Sequence, residues 1–182
     1  MKLAALILVS ALIVLALIAL PSASPQIPSG RDVVSPAAYV SVEPVPRNAP
    51  FQIAVVLKIR NGFHINAHQA SADYLIPTTL RAEGPAGFQL GEVSYPKGEL
   101  HTFSFTKTPL NVYQEKAILR LPVTVPPGAA LGSQHLPLKL RYQACSQEVC
   151  LPPVTLDVDA AFTVAANAAN SRPVHPELFA KP

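Results

Sequence analysis

The two cysteines of the chain, Cys145 and Cys150, lie close together in the stretch YQACSQEVCLPP. Four residues separate them, which is longer than the C-x-x-C spacing of thioredoxin-type redox helices but is a common loop length for a β-hairpin. Residues directly opposite on paired strands have Cβ atoms about 4.5 to 5.5 Å apart, close to the roughly 3.5 to 4.5 Å of a disulfide. The spacing therefore permits a disulfide that crosses a hairpin.

Such a disulfide is either a structural crosslink or a redox couple. A ring this short removes little unfolded-state entropy, on the order of 2 kcal/mol, so it is a weak crosslink. If the strand that carries Tyr142 continues straight, Cys145 falls on its polar face with Gln143, where a partner can reach the thiol. Most cysteine pairs of exported proteins are nonetheless structural, so the spacing leaves both interpretations open.

A metal site is the third interpretation of the cysteine pair. His64 and His68 flank the segment HINAH, and on a strand this spacing places both imidazoles on one face. Two histidines and two cysteines suit tetrahedral zinc. The two pairs are far apart in sequence, however, and the C-x4-C spacing is longer than the C-x2-C spacing that is usual in zinc sites. A single methionine argues against a thioether copper site. We therefore expect no bound metal and no other cofactor.

The segments around these residues show the hydrophobic alternation of β-strands. Apolar residues occupy every second position at 51–59, 119–125, 136–142 and 154–158, a period typical of half-buried strands. Turn signals such as Asn61-Gly62 and Pro126-Pro127-Gly128 separate the segments. Twenty prolines disfavour long helices. The pattern predicts an all-β, immunoglobulin-like antiparallel β-sandwich over 35–164.

The segment after the Asn-Gly turn conflicts with this pattern. If the turn at 61–62 closes a two-residue hairpin, His64 and Asn66 share a face with the apolar residues of the preceding strand. Either a bulge resets the register, or these two residues line a site. We also include Tyr142, which shortly precedes the first cysteine, among the residues that could line the site.

The N-terminus indicates export. Lys2 precedes an apolar run over 3–20, and a small-residue and proline segment follows it, as in secretory signals. The run is also just long enough to span a bilayer, so a cleaved signal peptide and an uncleaved membrane anchor over 1–24 both stay open. A linker over 25–34 follows. Export gives an oxidising compartment in which a disulfide can form.

The remaining sequence adds no further functional class. The net charge of +3 comes from dispersed lysines and arginines, whereas nucleic-acid binders concentrate a basic stripe, so we expect no nucleic-acid partner. Apolar residues make up 49% of the chain, which excludes a disordered protein. We find no internal repeat, and we expect 165–182 to form a loosely ordered tail.

Several segments together resemble one known family, the N-terminal periplasmic domain of the thiol:disulfide interchange protein DsbD. They are NGFHINAH, LIPTTL, YPKGELHTFSF, VYQEKAILRLPVTV and YQACSQEVCLPPVTLDV, in this order over 35–164. The most specific of them is YQACxxxxCLPP. The resemblance implies an immunoglobulin-like fold whose cysteine pair carries reducing equivalents, and therefore a component of a protein-disulfide reductase system.

The resemblance also implies roles for individual residues. Cys150 corresponds to the thiol that forms mixed disulfides with partners, and Cys145 to its resolving partner. Phe105, with Phe103 beside it in HTFSF, corresponds to the aromatic cap over the pair. Some members carry tyrosines where this chain has His64 and Asn66, and acidic residues just before the cap aromatic, so the proton-handling roles of those side chains do not carry over.

The partners implied by the resemblance are a thioredoxin-like domain or membrane reductase, which donates electrons, and oxidised periplasmic proteins, which receive them. The chain has no room for those donor domains after the β-sandwich, so we expect the reductant to be a separate protein. A second hypothesis belongs to a different class. In it, the chain is an exported immunoglobulin-like binding or adaptor module, and its disulfide is inert.

Overall fold

The computed structural model describes residues 27–83 and 87–180, so the expected signal or anchor segment over 1–24 lies outside the described residues. Apart from a 3₁₀ turn (Gly30–Asp32) and a short helix, α1 (Pro176–Phe179), the regular structure described is β-strand. None of the described helices is long and apolar enough to cross a membrane. The strands are β1 (Val34–Val40), β2 (Val42–Glu43), β3 (Val45–Pro46), β4 (Pro50–Ile59), β5 (His64–Asn66), β6 (Thr79–Ala82), β7 (Gln89–Leu90), β8 (Glu99–His101), β9 (Leu110–Gln114), β10 (Lys116–Thr124), β11 (Gly132–Tyr142), β12 (Ala144–Cys145), β13 (Val154–Ala165) and β14 (Arg172–Pro173).

Two four-stranded sheets form the body of the domain. The first has the strand order β1-β4-β10-β7 and the second the order β3-β13-β11-β6. All of their pairings are antiparallel except the short contact between β3 and β13. One hydrophobic core contains the inward-facing residues of both sheets. The predicted immunoglobulin-like antiparallel β-sandwich is confirmed.

The alternating segments supply this core, as their period predicts. In β4, β10, β11 and β13, the apolar residues of the alternation face the core, while most intervening residues are exposed or half-buried. Burial of each large aliphatic side chain contributes about 1.5 to 3 kcal/mol, so these strands account for much of the stability. The fully buried members include Ile53, Leu57, Leu119, Leu121, Leu136, Leu138 and Leu140.

A third sheet, which we call the cysteine sheet, has the strand order β12-β5-β9-β8. The two-residue hairpin considered for the Asn-Gly turn does not form between β4 and β5. Strand β4 is flanked by β1 and β10, while β5 pairs with β12 and β9. The chain does turn at Gly62, whose φ is +83°, but it then enters a different sheet. The conflict with the apolar face of β4 therefore does not arise.

The segments on either side of the β-sandwich are more closely packed than the sequence predicts. Within the expected linker, Val33 is buried, and the Gly30 carbonyl accepts a hydrogen bond from the Tyr142 hydroxyl. The expected loose tail is also wrong for 165–180. Strand β14 pairs with β2, Leu178 of α1 is buried against the outer face of β4, and its carbonyl accepts a hydrogen bond from Arg120 Nε at 2.7 Å.

Candidate functional site

The two cysteines close a short hairpin at the edge of the cysteine sheet. Cys145 and Cys150 form an antiparallel bridge and are joined by a disulfide with an S–S distance of 2.05 Å. The Ser146 amide donates to the Val149 carbonyl at 2.8 Å, and the Ser146 hydroxyl accepts hydrogen bonds from the amides of Glu148 and Val149. The disulfide across a four-residue hairpin loop is confirmed. The serine fixes the loop from inside, so the hairpin does not depend on the disulfide alone.

The two sulfurs differ in their access to solvent. Cys150 is exposed, whereas Cys145 has 0% of its surface exposed. The expected exposure of Cys145 on a continued polar strand face is wrong, because β11 ends at Tyr142 and the chain enters β12 after Gln143. Strand β12 pairs with β5, and both of its residues are buried. A partner can therefore reach Cys150 directly but not Cys145.

Tyr142 does not line the site. Its side chain is fully buried in the core of the β-sandwich, and its hydroxyl donates a hydrogen bond to the Gly30 carbonyl at 2.8 Å. Burial raises the pKa of this hydroxyl to about 12, so the residue stays neutral at neutral pH. Its role is to attach the segment before β1 to the second sheet.

Cross-strand pairing determines which residues share a face with the buried sulfur. Cys145 lies opposite His64 on β5, and His64 lies opposite Gln114 on β9. In the next row, Asn66 lies opposite Val112. Directly opposite residues project to the same side of a sheet. We call this side the cysteine face; the other side, with Ile65, Tyr113 and Ala144, contributes to the core of the β-sandwich.

His64 is buried across the strand pair from Cys145, and its Nε2 atom lacks a polar contact within the described part of the chain. Only 1% of its surface is exposed, and its Nε2 atom has no hydrogen-bond partner among the described residues. Its ring stacks on Phe103 with the centroids 3.9 Å apart. Burial, and to a smaller extent the neighbouring His101, lowers the pKa of His64 to about 4. The imidazole is therefore neutral at pH 7.

Asn66 has a structural contact as well as an unpaired atom. Its Nδ2 donates to the Ile76 carbonyl at 3.1 Å, and its backbone carbonyl accepts a hydrogen bond from the Thr78 hydroxyl at 2.6 Å. These contacts attach the loop between β5 and β6 to the cysteine sheet. The Oδ1 atom is buried without a partner among the described residues. Asn66 thus lies on the cysteine face, one row away from the row that contains Cys145.

The two phenylalanines of HTFSF occupy different environments. Phe103 is only 3% exposed and packs with Leu75, Leu110 and Val112 over the cysteine face. Phe105 is 43% exposed, and its ring stacks on Phe103 with the centroids 5.5 Å apart. Phe105 is therefore a surface residue supported by Phe103, and it is not part of a core.

A hydrogen bond joins the HTFSF segment to the cysteine hairpin. The Ser104 hydroxyl, between the two phenylalanines, donates to the Gln147 carbonyl at 2.6 Å. Gln147 belongs to the loop between Cys145 and Cys150. The sequence did not single out this contact or Gln114, because neither residue type is distinctive and the contacts are long-range. The alternation of LNVYQ in β9 is the one signal that could have placed Gln114 on the same face as Val112.

The histidines of HINAH do not share a site. His64 lies on the cysteine face, whereas the His68 ring stacks on Tyr95 at 3.6 Å and its Nδ1 is 3.0 Å from the Thr78 carbonyl oxygen. Strand β5 ends at Asn66, so the alternation that predicted a common face does not extend to His68. Over residues 27–83 and 87–180, no three His, Cys, Asp or Glu side chains are grouped so that they could hold a metal ion.

Comparison with known families agrees with this geometry. Residues 31–161 match the family described as "Thiol:disulfide interchange protein DsbD, N-terminal". The chain belongs to this family. The resemblance seen in the sequence is thereby confirmed, and the Cys145–Cys150 disulfide fits the thiol–disulfide exchange for which the family is named. No curated protein sequence matches the chain.

Two solved structures of related domains are similar to the chain. The N-terminal periplasmic domain of ScsB from Proteus mirabilis aligns with a TM-score of 0.49 and 9% identity, over 76% of this chain and 49% of that chain. The chain thus spans about half the length of that protein. The DsbD N-terminal domain of Neisseria meningitidis, solved in complex with the PilB N-terminal domain, aligns with a TM-score of 0.45 and 21% identity, over 75% of this chain and 88% of that chain.

Proposed function

We propose that the chain is a periplasmic thiol–disulfide exchange domain in which Cys150 reacts with partner proteins and Cys145 resolves the mixed disulfide. The difference in exposure between the two sulfurs carries this assignment. Intermolecular exchange requires access to a sulfur, and Cys150 is the exposed residue of the pair. The resolving step is intramolecular, so a buried sulfur on the other side of the hairpin is sufficient for it.

The exchange transfers two electrons to an oxidised client. The Cys150 thiolate attacks one sulfur of the client disulfide, forms an S–S bond with it and displaces the second client sulfur as a thiolate, which takes up a proton. The Cys145 thiolate then attacks Cys150 Sγ. The intramolecular disulfide forms, and the first client sulfur leaves as a thiolate. A dithiol reductant restores the reduced pair by the same steps in reverse.

The reductant is a thioredoxin-like domain or membrane reductase, and the clients are oxidised periplasmic proteins. The description of the family as a thiol:disulfide interchange protein supports this assignment. The apolar segment over 1–24 exports the domain as a signal peptide or holds it at the membrane as an anchor. The folded part that carries the site comprises 35–164 with the flanking segments that pack on it.

Trapping of the mixed disulfide tests the roles of the two sulfurs. Reduced Cys145→Ala and Cys150→Ala variants are incubated with an oxidised thioredoxin-like domain and analysed on non-reducing gels and by mass spectrometry. Cys145→Ala should accumulate a mixed disulfide, because the resolving attack is missing, whereas Cys150→Ala should not, because its remaining sulfur is buried. Gln143→Ala, next to the hairpin, is the control. Equal trapping by the two cysteine variants would remove the assigned roles.

The reduction potential of the pair distinguishes the exchange function from the competing hypothesis of an inert disulfide. Structural disulfides of secreted proteins lie below about −300 mV, and labile ones lie higher. We expect the Cys145–Cys150 pair to lie above this value when thiol trapping follows its equilibrium in glutathione buffers. A pair that lies well below it, in a protein that also fails to react with a thioredoxin-like domain, supports the binding module instead.

A further inference from the structure

His64 is the unexplained polar residue beside the reactive pair. It lies directly across the strand pair from Cys145, so the two Cβ atoms are about 4.5 to 5.5 Å apart. Its Nε2 atom is buried and has no hydrogen-bond partner among the described residues. A buried nitrogen without a partner is unfavourable, and native proteins rarely retain one without a compensating role. The structure shows the disulfide state, and the compensation can come from the other redox state.

We propose that His64 Nε2 is the hydrogen-bond partner of the reduced Cys145 sulfur, and that His64 thereby favours the dithiol form of the pair. The inference rests on the proposed exchange function and names a positioning residue for it. In the disulfide state, Cys145 Sγ carries no hydrogen and has nothing to donate. When two glutathione thiols supply two electrons and two protons, the S–S bond breaks, glutathione disulfide forms, and Cys145 Sγ gains a hydrogen that it can donate.

The surroundings of His64 suit this role. Stacking on Phe103 at 3.9 Å fixes the plane of the imidazole, so the ring cannot easily turn towards solvent for another partner. The neutral state of the ring leaves one nitrogen with a free lone pair. On the neighbouring strands, Gln114 lies across from His64, while His101 and Glu99 of β8 lie within 3.2 Å of each other. His101 and Glu99 therefore already pair with each other.

The favoured direction of the redox equilibrium follows from the proposed hydrogen bond between the Cys145 thiol and His64 Nε2. A hydrogen bond that exists only in the dithiol state stabilises that state and raises the reduction potential. Its loss should make the pair about tenfold harder to reduce, which corresponds to about 30 mV for a two-electron couple. A residue that merely supports the fold would change the stability of both redox states alike and leave the potential in place.

The test compares His64→Phe with His68→Phe. Both substitutions keep a ring that stacks on an aromatic neighbour, but His68 stacks on Tyr95 away from the cysteine face. The potential of each full-length protein is measured at pH 7 by thiol trapping in glutathione buffers. We expect His64→Phe to shift the equilibrium about tenfold towards the disulfide, and His68→Phe to leave it unchanged. An unchanged or raised potential in His64→Phe would overturn the inference.

Two additions keep the result decisive. His64→Gln places a polar atom near the position of Nε2 and should restore most of the lost potential, whereas His64→Leu removes the polar atom and replaces His64→Phe if that variant fails to fold. Dithiothreitol buffers extend the measurable range if the wild-type pair lies below the range of glutathione. A wild-type potential that low counts against the proposed function, whereas the difference between the His64 and His68 variants still decides the role of His64.

Discussion

The β-sandwich and the cysteine sheet use strand pairing for different purposes. In the two large sheets, alternation separates apolar residues, which enter one core, from polar residues, which face outward. In the cysteine sheet, both sides of β5 are buried, and the side away from the core carries His64, Asn66 and Cys145. The difference shows that the large sheets provide much of the stability, while the cysteine sheet buries His64, Asn66 and Cys145 away from water.

This division separates the effects expected from substitutions. A change in the large sheets should lower stability and leave the sulfur chemistry intact. Protonation of His64 or truncation of the exposed Phe105 should alter the sulfur chemistry or the pH dependence of stability, with a smaller loss of stability.

Truncation of the sandwich core should have the largest effect. Leu138 is fully buried on β11, between β13 and β6. Leu138→Ala should lower the free energy of unfolding by about 2 to 5 kcal/mol, because it removes apolar contacts and leaves a cavity. Urea denaturation measures this change. The rate at which the folded, reduced variant reacts with a thioredoxin-like domain should stay at the wild-type value; a large fall in that rate would show that the two regions are coupled.

Acid should destabilise the cysteine sheet through His64. Its pKa is about 4 in the folded protein and 6.5 in the unfolded chain, so the unfolded chain binds more protons between these values. The stabilising effect of the neutral imidazole is fully present above pH 6.5 and is lost as the pH falls to 4. The loss should be on the order of 2 to 3 kcal/mol, as measured by urea denaturation at pH 7 and pH 4.

Two variants locate this acid sensitivity. His64→Phe cannot be protonated, so its stability should fall less between pH 7 and pH 4 than that of the wild type. His135→Phe is the control, because the His135 side chain is exposed on β11 and contacts Asp159, so it belongs to the second sheet of the sandwich. Between pH 7 and pH 4, His135→Phe should still lose the part of its free energy of unfolding that depends on protonation of His64. An equal acid loss in the wild type and in His64→Phe would contradict the assignment.

The same contrast explains which features the sequence predicted. A period of two over five or more residues determines a strand and its buried face, so β4, β10 and β11 were predictable from local sequence. The position of Cys145 was not, because its burial depends on the break after Tyr142 and on pairing with a distant strand. The packing of Leu178 on β4 was missed for a similar reason, since a four-residue helix carries almost no periodic signal.

The site itself was predicted in part. The family resemblance directed attention to Cys150 and Phe105, and the conflict after the Asn-Gly turn to His64. Neither could show that Phe103 packs on Phe105 or that Ser104 binds the hairpin loop. Those contacts depend on how the HTFSF segment folds over the cysteine face, and that arrangement is set by residues far away in sequence. Sequence therefore indicated candidate residues for the site, and tertiary packing determined what each of them can contact.

The smallest change in stability is expected at Phe105, the proposed cap over the disulfide. Its ring is 43% exposed and lies on Phe103, in a segment that Ser104 joins to the hairpin. If the ring covers Cys150, as the cap hypothesis holds, it keeps small thiols away until a partner displaces it. Phe105→Ala should therefore speed alkylation of the reduced pair by iodoacetamide several-fold. It should lower the free energy of unfolding by less than about 1 kcal/mol, because little buried surface is lost.

Phe103→Ala provides the matched contrast within the same segment. The Phe103 ring is buried against Leu110 and Val112, so its truncation should cost about 3 to 5 kcal/mol, as in other cores. The cap hypothesis requires that Phe105→Ala change alkylation more than stability and that a mildly destabilised core variant such as Val158→Ala leave alkylation of the folded protein unchanged. If Phe105→Ala instead lowers stability as much as Phe103→Ala and alkylation does not accelerate, then Phe105 only packs on its neighbour and does not gate access to Cys150.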